Sequence, residues 1–249
     1  MYYFHAIVVC LLAAVLTLPS GCRSDSSPEE NSAVKMSNST LRSKGIEALN
    51  IGDWQTARGR FAQAAEQSPI DYQAQYFLGQ CELMLGRPVE AQFAFEEALA
   101  VRRDDSELTP RILDRLAEAI YRQDRVETLR TFLSQTAEIY GQSRDYLRQA
   151  RYLFRLSDMD AAKLAYRKAA YFALEGDAGP YLAICDFYAS LSDIPNVVLA
   201  LRYAYHVDPT NPEVSHRLRE LGEVPGPAQS LVPPKPELFT ASWVPPASQ

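Results

Sequence analysis

The sequence is short of the residues that catalysis and metal binding use most. Histidine occurs three times in 249 residues, as His5, His206 and His216. Cysteine occurs four times, at no spacing that would hold a metal ion. There is no Gly-rich phosphate loop, no His-Glu-x-x-His and no Gly-x-Ser-x-Gly. No catalytic residue, no metal and no cofactor are therefore expected. An excess of positive charge is missing too: 25 Lys and Arg face 31 Asp and Glu, for a net charge of −6. That balance makes nucleic acid a poor partner, because binding to phosphates selects for basic patches. No apolar run reaches the ~20 residues that span a bilayer. The longest, residues 6–18, is broken only by Thr17 and has the length of the apolar core of a secretory signal.

What the chain does contain is an internal repeat. Gly45, Gly52, Ala57, Phe61 and Ala64 recur as Gly79, Gly86, Ala91, Phe95 and Ala98, each 34 residues on. A repeat of this length marks an array of stacked supersecondary units, and the 47% of hydrophobic residues is ample for its core. Gly52 and Asp53 read as a turn between two helices. Pro69 ends the second helix, since it lacks an amide hydrogen and clashes with the preceding turn. The pattern resembles the tetratricopeptide repeat, a helix–turn–helix unit. The resemblance implies an all-α fold, an α-solenoid of about five such units with a C-terminal capping helix. The units fall near 38–71, 72–105, 110–142, 143–176 and 178–211, with the cap at 212–222.

The first two units match best. The third has Ala117, Ile120, Asp124, Leu129 and Leu133 at the key places, with the large Leu129 where alanine is usual. The fourth has Ala150, Leu153, Ala162, Tyr166 and Ala169, and the fifth Cys185, Tyr188, Asp193, Val197, Leu201, Ala204 and Pro209. In the cap, Pro212 suits a first helical turn, and Val214, Leu218 and Leu221 share one side. Cys81 and Cys185 lie about three units apart, beyond the reach of a disulfide, and read as small buried hydrophobes.

The two ends differ from this body. Leu18-Pro19-Ser20-Gly21-Cys22 resembles the lipobox of exported bacterial lipoproteins. The resemblance implies that residues 1–21 are a signal peptide, cut before Cys22, with acyl chains such as palmitate on the Cys22 thiol and the new amino terminus. The leader departs from the pattern in having no Lys or Arg and in placing Pro19 where leucine is usual. The alternative is an uncleaved membrane anchor. Either reading puts the body in the cell envelope, held to a membrane on its periplasmic face. Arg23 after the cysteine favours the outer membrane by the same resemblance. Residues 22–37, rich in Ser, Asn and Glu, read as a disordered tether. The tail, 223–249, is rich in proline and carries Leu238, Phe239, Trp243 and Val244, so it is either disordered or docks through those residues.

The tetratricopeptide resemblance implies a concave groove lined by the first helix of each unit, where peptides bind. In the fourth unit Arg144, Arg148, Arg151 and Arg155, at spacings of 4, 3 and 4, form one stripe with Phe154 beside it. The third unit places Arg111, Arg115, Glu118 and Arg122 at the same four positions, with Tyr121 alongside. Guanidinium forks bind carboxylates through paired hydrogen bonds, and the two aromatics offer apolar anchors. The expected partner is a protein or peptide, in particular an acidic or C-terminal segment. The alternative is a solvated helix face with internal pairs such as Glu118 with Arg151. A terminal-carboxylate clamp is not matched, because Arg115, Tyr76 and Gln80 stand where that clamp has Asn, Lys and Asn. The expected function is a membrane-anchored adaptor or scaffold for protein–protein interaction in the bacterial envelope. The alternative is a non-catalytic envelope component that binds cell-wall glycan.

Overall fold

The structure is a computed structural model that describes residues 36–101 and 107–233. The expected signal peptide, Cys22 and nearly all of the tether lie outside the described residues, as does the tail from 234 onward.

The described residues form eleven α-helices: α1 (Asn38–Asn50), α2 (Trp54–Gln67), α3 (Tyr72–Met84), α4 (Pro88–Val101), α5 (Leu108–Arg122), α6 (Val126–Tyr140), α7 (Ser143–Arg155), α8 (Met159–Tyr171), α9 (Gly179–Ser190), α10 (Ile194–Val207) and α11 (Pro212–Glu220). No strand occurs among them. The fold is all-α, a solenoid of five helix pairs closed by α11. No helix of the described residues is long and apolar enough to cross a membrane.

Most helices start where a side chain can accept from a free amide of the first turn. Ser37 accepts from Thr40, Asp53 from Thr56, Asp71 from Ala74, Asp158 from Ala161 and Asp193 from Asn196. At α7, Gln142 and Asp145 form a reciprocal capping box. The third pair lacks such caps: neither Glu107 before α5 nor Arg125 before α6 makes a side-chain cap bond. Helix α5 starts at Leu108, two residues before the expected Pro110. Proline is tolerated there because a first helical turn does not need its amide hydrogen.

The turn inside each pair has one left-handed residue. It is Gly52 and Gly86 in the first two pairs, with φ of 75° and 74°. In the other three it is Asp124, Ser157 and Ser192, with φ of 56°, 61° and 57°. The same backbone geometry thus recurs where glycine has been replaced by short polar residues, which tolerate it best.

Within a pair, the two helices approach through a small residue set against a large one. An added methyl on Gly45 would lie 2.7 Å from the ring of Phe61, and one on Gly79 would lie 2.6 Å from Phe95. The equivalent positions in the next three pairs hold Ala117 with Leu133, Ala150 with Tyr166 and Cys185 with Leu201, all buried. Leucine faces Ala117 and Cys185, and a tyrosine ring faces Ala150. In the third pair, Leu129 is also fully buried where its counterparts Ala57, Ala91 and Ala162 are small. Correspondingly, α5 and α6 pack on each other less closely than the helices of the other pairs, and α5 packs more closely on α4.

Successive first helices touch: α3 with α5, α5 with α7 and α7 with α9. This row is the crowded inner side of the array, and it carries the wet faces of α5 and α7. At the far end α11 covers the last pair with Val214 and Leu218, both fully buried. Arg217 ties it to α9 through Asp186 at 2.5 Å. Beyond α11 the chain turns back along α10. The Leu231 amide donates to the Arg202 carbonyl, Arg202 donates to the Ala228 carbonyl, and Ser230 meets His206 at 2.9 Å. The first residues of the proline-rich tail are thus held on the body.

Gly79→Ala forces a methyl into the Phe95 ring and is expected to destabilise the fold by about 1–3 kcal/mol, lowering the thermal midpoint by several degrees. In a Phe95→Leu background, which recreates the Ala117 and Leu133 pairing, the same substitution should cost less. Equal costs in the two backgrounds, measured by urea unfolding, would show that this contact does not set the spacing.

Candidate functional site

The wet stripes of α5 and α7 face a cavity of about 620 Å³. It is lined by Tyr76 of α3, by Arg111, Asp114, Arg115, Glu118 and Arg122 of α5, and by Arg151, Tyr152 and Arg155 of α7. Five arginines therefore meet two carboxylates in one opening.

Glu118 organises one end of it. Its carboxylate accepts from Arg122 Nε at 2.7 Å, from Arg155 Nη1 at 2.7 Å and from the Tyr152 hydroxyl at 3.0 Å. Burial alone would push the Glu118 pKa up, but these three donors outweigh it and hold the acid below the usual carboxylate range. Burial, with the Glu118 charge beside it, pushes the Tyr152 phenol up, so it stays a donor. Arg122 also donates to the Leu83 carbonyl at 3.0 Å, tying α5 to α3. The Arg155 guanidinium lies over the Tyr121 ring, 3.8 Å from its centroid. Glu118 thus pairs with Arg122 and Arg155, not with Arg151.

That leaves Arg111, Arg115 and Arg151. All three are exposed, and among the described residues they make no ion pair and no hydrogen bond. They are the undischarged cations of the opening.

The other residues expected in the groove lie elsewhere. Arg148 is inside the protein, with its side chain 1% exposed. Its Nε donates to Asp114 at 2.6 Å and its Nη1 to Asp145 at 3.0 Å, while Nη2 is buried without a hydrogen-bond partner. Asp145 is itself buried and accepts from the Gln142 amide. This ion triad joins α5 to α7; its Arg148 and Asp145 are buried, and only Asp114 opens on the cavity. Arg144 is exposed at the start of α7 and donates to Gln142, away from the cavity. Phe154 turns to α9, its ring edge-on to Phe187 with centroids 5.3 Å apart. Tyr121 packs beneath Arg155 and beside Tyr152, so it supports the wall and does not open onto the cavity.

Asp114 and Tyr152 line the cavity without having been anticipated. Asp114 could have been found, since it lies three residues after Arg111 and four before Glu118, on the same stripe of α5. So could Tyr152, which lies four residues after Arg148 and three before Arg155, at the spacing of the α7 stripe. Elsewhere, the buried thiols Cys81 and Cys185 are free, and burial pushes Cys81 up to about 12, so neither is poised as a nucleophile. No group of His, Cys, Asp and Glu among the described residues could hold a metal ion.

Arg148→Ala removes the counterion of a buried carboxylate and is expected to cost about 3–5 kcal/mol. Arg151→Ala, on the open wall, should change stability by no more than about 0.5 kcal/mol. Chemical unfolding of the two variants distinguishes an interior role from a surface one; similar losses would contradict this assignment.

Residues 42–107 match the sequence profile of the tetratricopeptide repeat. No curated protein matches the chain. Among solved structures, the C-terminal part of a TPR repeat-containing protein from Cytophaga hutchinsonii is 18% identical, with a TM-score of 0.50 over 75% of this chain and 75% of that one. A MamA protein is 15% identical, with a TM-score of 0.50 over 76% of this chain and 98% of that one. A thermophilic TPR protein from Thermus thermophilus is 19% identical, with a TM-score of 0.49 over 74% and 98%. The profile supports the tetratricopeptide repeat at residues 42–107, and the first two of these structures share the fold of the chain.

Proposed function

We propose that the chain is a protein-interaction scaffold that binds an acidic peptide segment in the cavity between α3, α5 and α7. One observation carries this reading: Arg111, Arg115 and Arg151 are exposed and unpaired around an opening whose other arginines are already held by Glu118. Three such cations on two adjacent helices repel one another until an anion arrives. A carboxylate that does so gains charge-assisted hydrogen bonds of about 1.5–3 kcal/mol each. Tyr76 and Tyr152 line the opening beside them. The fixed network around Glu118 means that the wall needs little reorganisation on binding.

The scaffold works at a membrane in this proposal. The apolar run at 6–18 followed by Ser20-Gly21-Cys22 supports export and lipid attachment at Cys22. Two or more acyl chains would anchor it stably in the envelope, facing the periplasm.

Binding is tested with the full chain and fluorescent peptides that end in two acidic residues, alongside the same peptides with Lys replacing the acids. The acidic peptides should bind, with affinity falling steeply as salt rises. Arg111→Glu with Arg151→Glu should weaken them about tenfold or more. Equal binding of acidic and basic peptides, or no effect of the double reversal, overturns the proposal. For the anchor, Cys22→Ser should abolish incorporation of labelled palmitate and release the protein from the membrane fraction. Unchanged labelling would rule out lipid at that residue.

A further inference from the structure

A second opening lies on the first two pairs and shares no lining residue with the arginine cavity. It encloses about 640 Å³ between α2, α3 and α4. Its walls are mostly apolar, from Ala62 and Ala65 of α2, Leu78 of α3, and Val89, Phe93 and Ala94 of α4. Val89 is 62% exposed and Phe93 65% exposed, so two large apolar side chains stand open to water at its mouth.

Every charged residue that lines it is acidic: Glu66, Glu82 and Glu90. Glu66 and Glu90 are exposed and have no ion pair among the described residues. Glu82 differs from them. It is 3% exposed, its Oε1 accepts from Arg58 at 2.6 Å, and its Oε2 has no hydrogen-bond partner, the nearest cation being Arg87 at 3.7 Å. A buried carboxylate oxygen without a donor is unusual, because desolvation is costly unless the group is satisfied. Arg58 and Arg87 already pair with it. Oε2 has no donor close enough to bond, and Glu82 adds its charge to the lining of this cavity.

We propose that this groove docks an amphipathic segment of a partner protein, apolar on one side and bearing a basic residue. The apolar residues would cover Phe93 and Val89. The basic side chain would lie between Glu66 and Glu90, over the negative charge of Glu82. The proposal stands on different residues from the arginine cavity and does not depend on it. The chain's own tail fits less well. Its one basic residue, Lys235, lies two residues past Pro233, a reach of about 7 Å. Pro233 follows the segment held on α10, and α6 and α8 stand between α10 and α4, each adding about 8–10 Å.

The probe is an amphipathic peptide of about 14 residues with leucine at i, i+3, i+4 and i+7 and lysine elsewhere, titrated into the full chain. Its counterpart carries Glu in place of every Lys. The lysine peptide should bind about tenfold or more tightly than the glutamate peptide. Phe93→Asp, and separately Glu66→Lys with Glu90→Lys, should each weaken it by about tenfold, with unchanged helical circular dichroism since all three residues are exposed. Arg111→Glu with Arg151→Glu should leave it unchanged, which separates failure here from failure at the arginine cavity. Three results would each overturn the proposal: equal binding of both peptides, binding indifferent to Phe93→Asp, or binding that appears only after residues 234–249 are removed. The last would assign the groove to the chain's own tail. Self-association that is lost in Phe93→Asp would likewise assign it to a second copy.

Discussion

The spacing between the two helices of a pair is the constraint on which the rest of this structure depends. At Gly45 and Gly79 the backbone of the first helix lies directly against an aromatic ring of the second, with no room for a methyl group. That contact fixes how closely the helices lie, and the depth of each pair then fixes how the next one stacks. Where the small residue becomes Ala117, Ala150 or Cys185, the facing residue changes with it, and the array continues. The third pair is the exception. With Leu129 filling the space where the first, second and fourth pairs have alanine, α5 packs less closely on α6 and more closely on α4. The same helix carries most of the arginine cavity.

That cavity divides its charged groups into two sets. Arg122 and Arg155 are held by Glu118, Tyr121 and Tyr152, and they build a rigid wall. Arg111, Arg115 and Arg151 have no such partners and keep their charge for the opening. Rigidity and availability are thus supplied by different residues of the same type. Only the surroundings tell them apart.

This is also where reading the sequence reaches its limit. The repeat of Gly, Ala and Phe made the helix pairs legible, because a fixed period reports packing directly. The arginine stripe was legible as a stripe: spacings of 4, 3 and 4 place Arg144, Arg148, Arg151 and Arg155 on one side of α7 whatever surrounds them. Periodicity does not say how deep each one lies. Arg148 is inside because Asp114 of the neighbouring unit and Asp145 of its own helix enclose it, and that depends on the register between two units. Arg151, three residues on, meets no carboxylate and stays in water. The tail shows the same limit. Its prolines forbid regular helix, yet residues up to Leu231 are fastened to α10 by Arg202 and His206, contacts that no local pattern announces.

The triad around Arg148 has an effect beyond joining two helices. Asp114 opens on the cavity, where a bare carboxylate would oppose any acidic visitor, yet its charge is already taken up from behind by Arg148. The sign of the potential that a ligand meets is therefore set partly by a residue no ligand can touch. Two routes to losing an acidic ligand follow, with different signatures. Replacing an outer arginine subtracts attraction and leaves the fold intact. Replacing Arg148 with a neutral side chain that still packs would unmask an anion at the binding wall, turning a change in the interior into a change in selectivity.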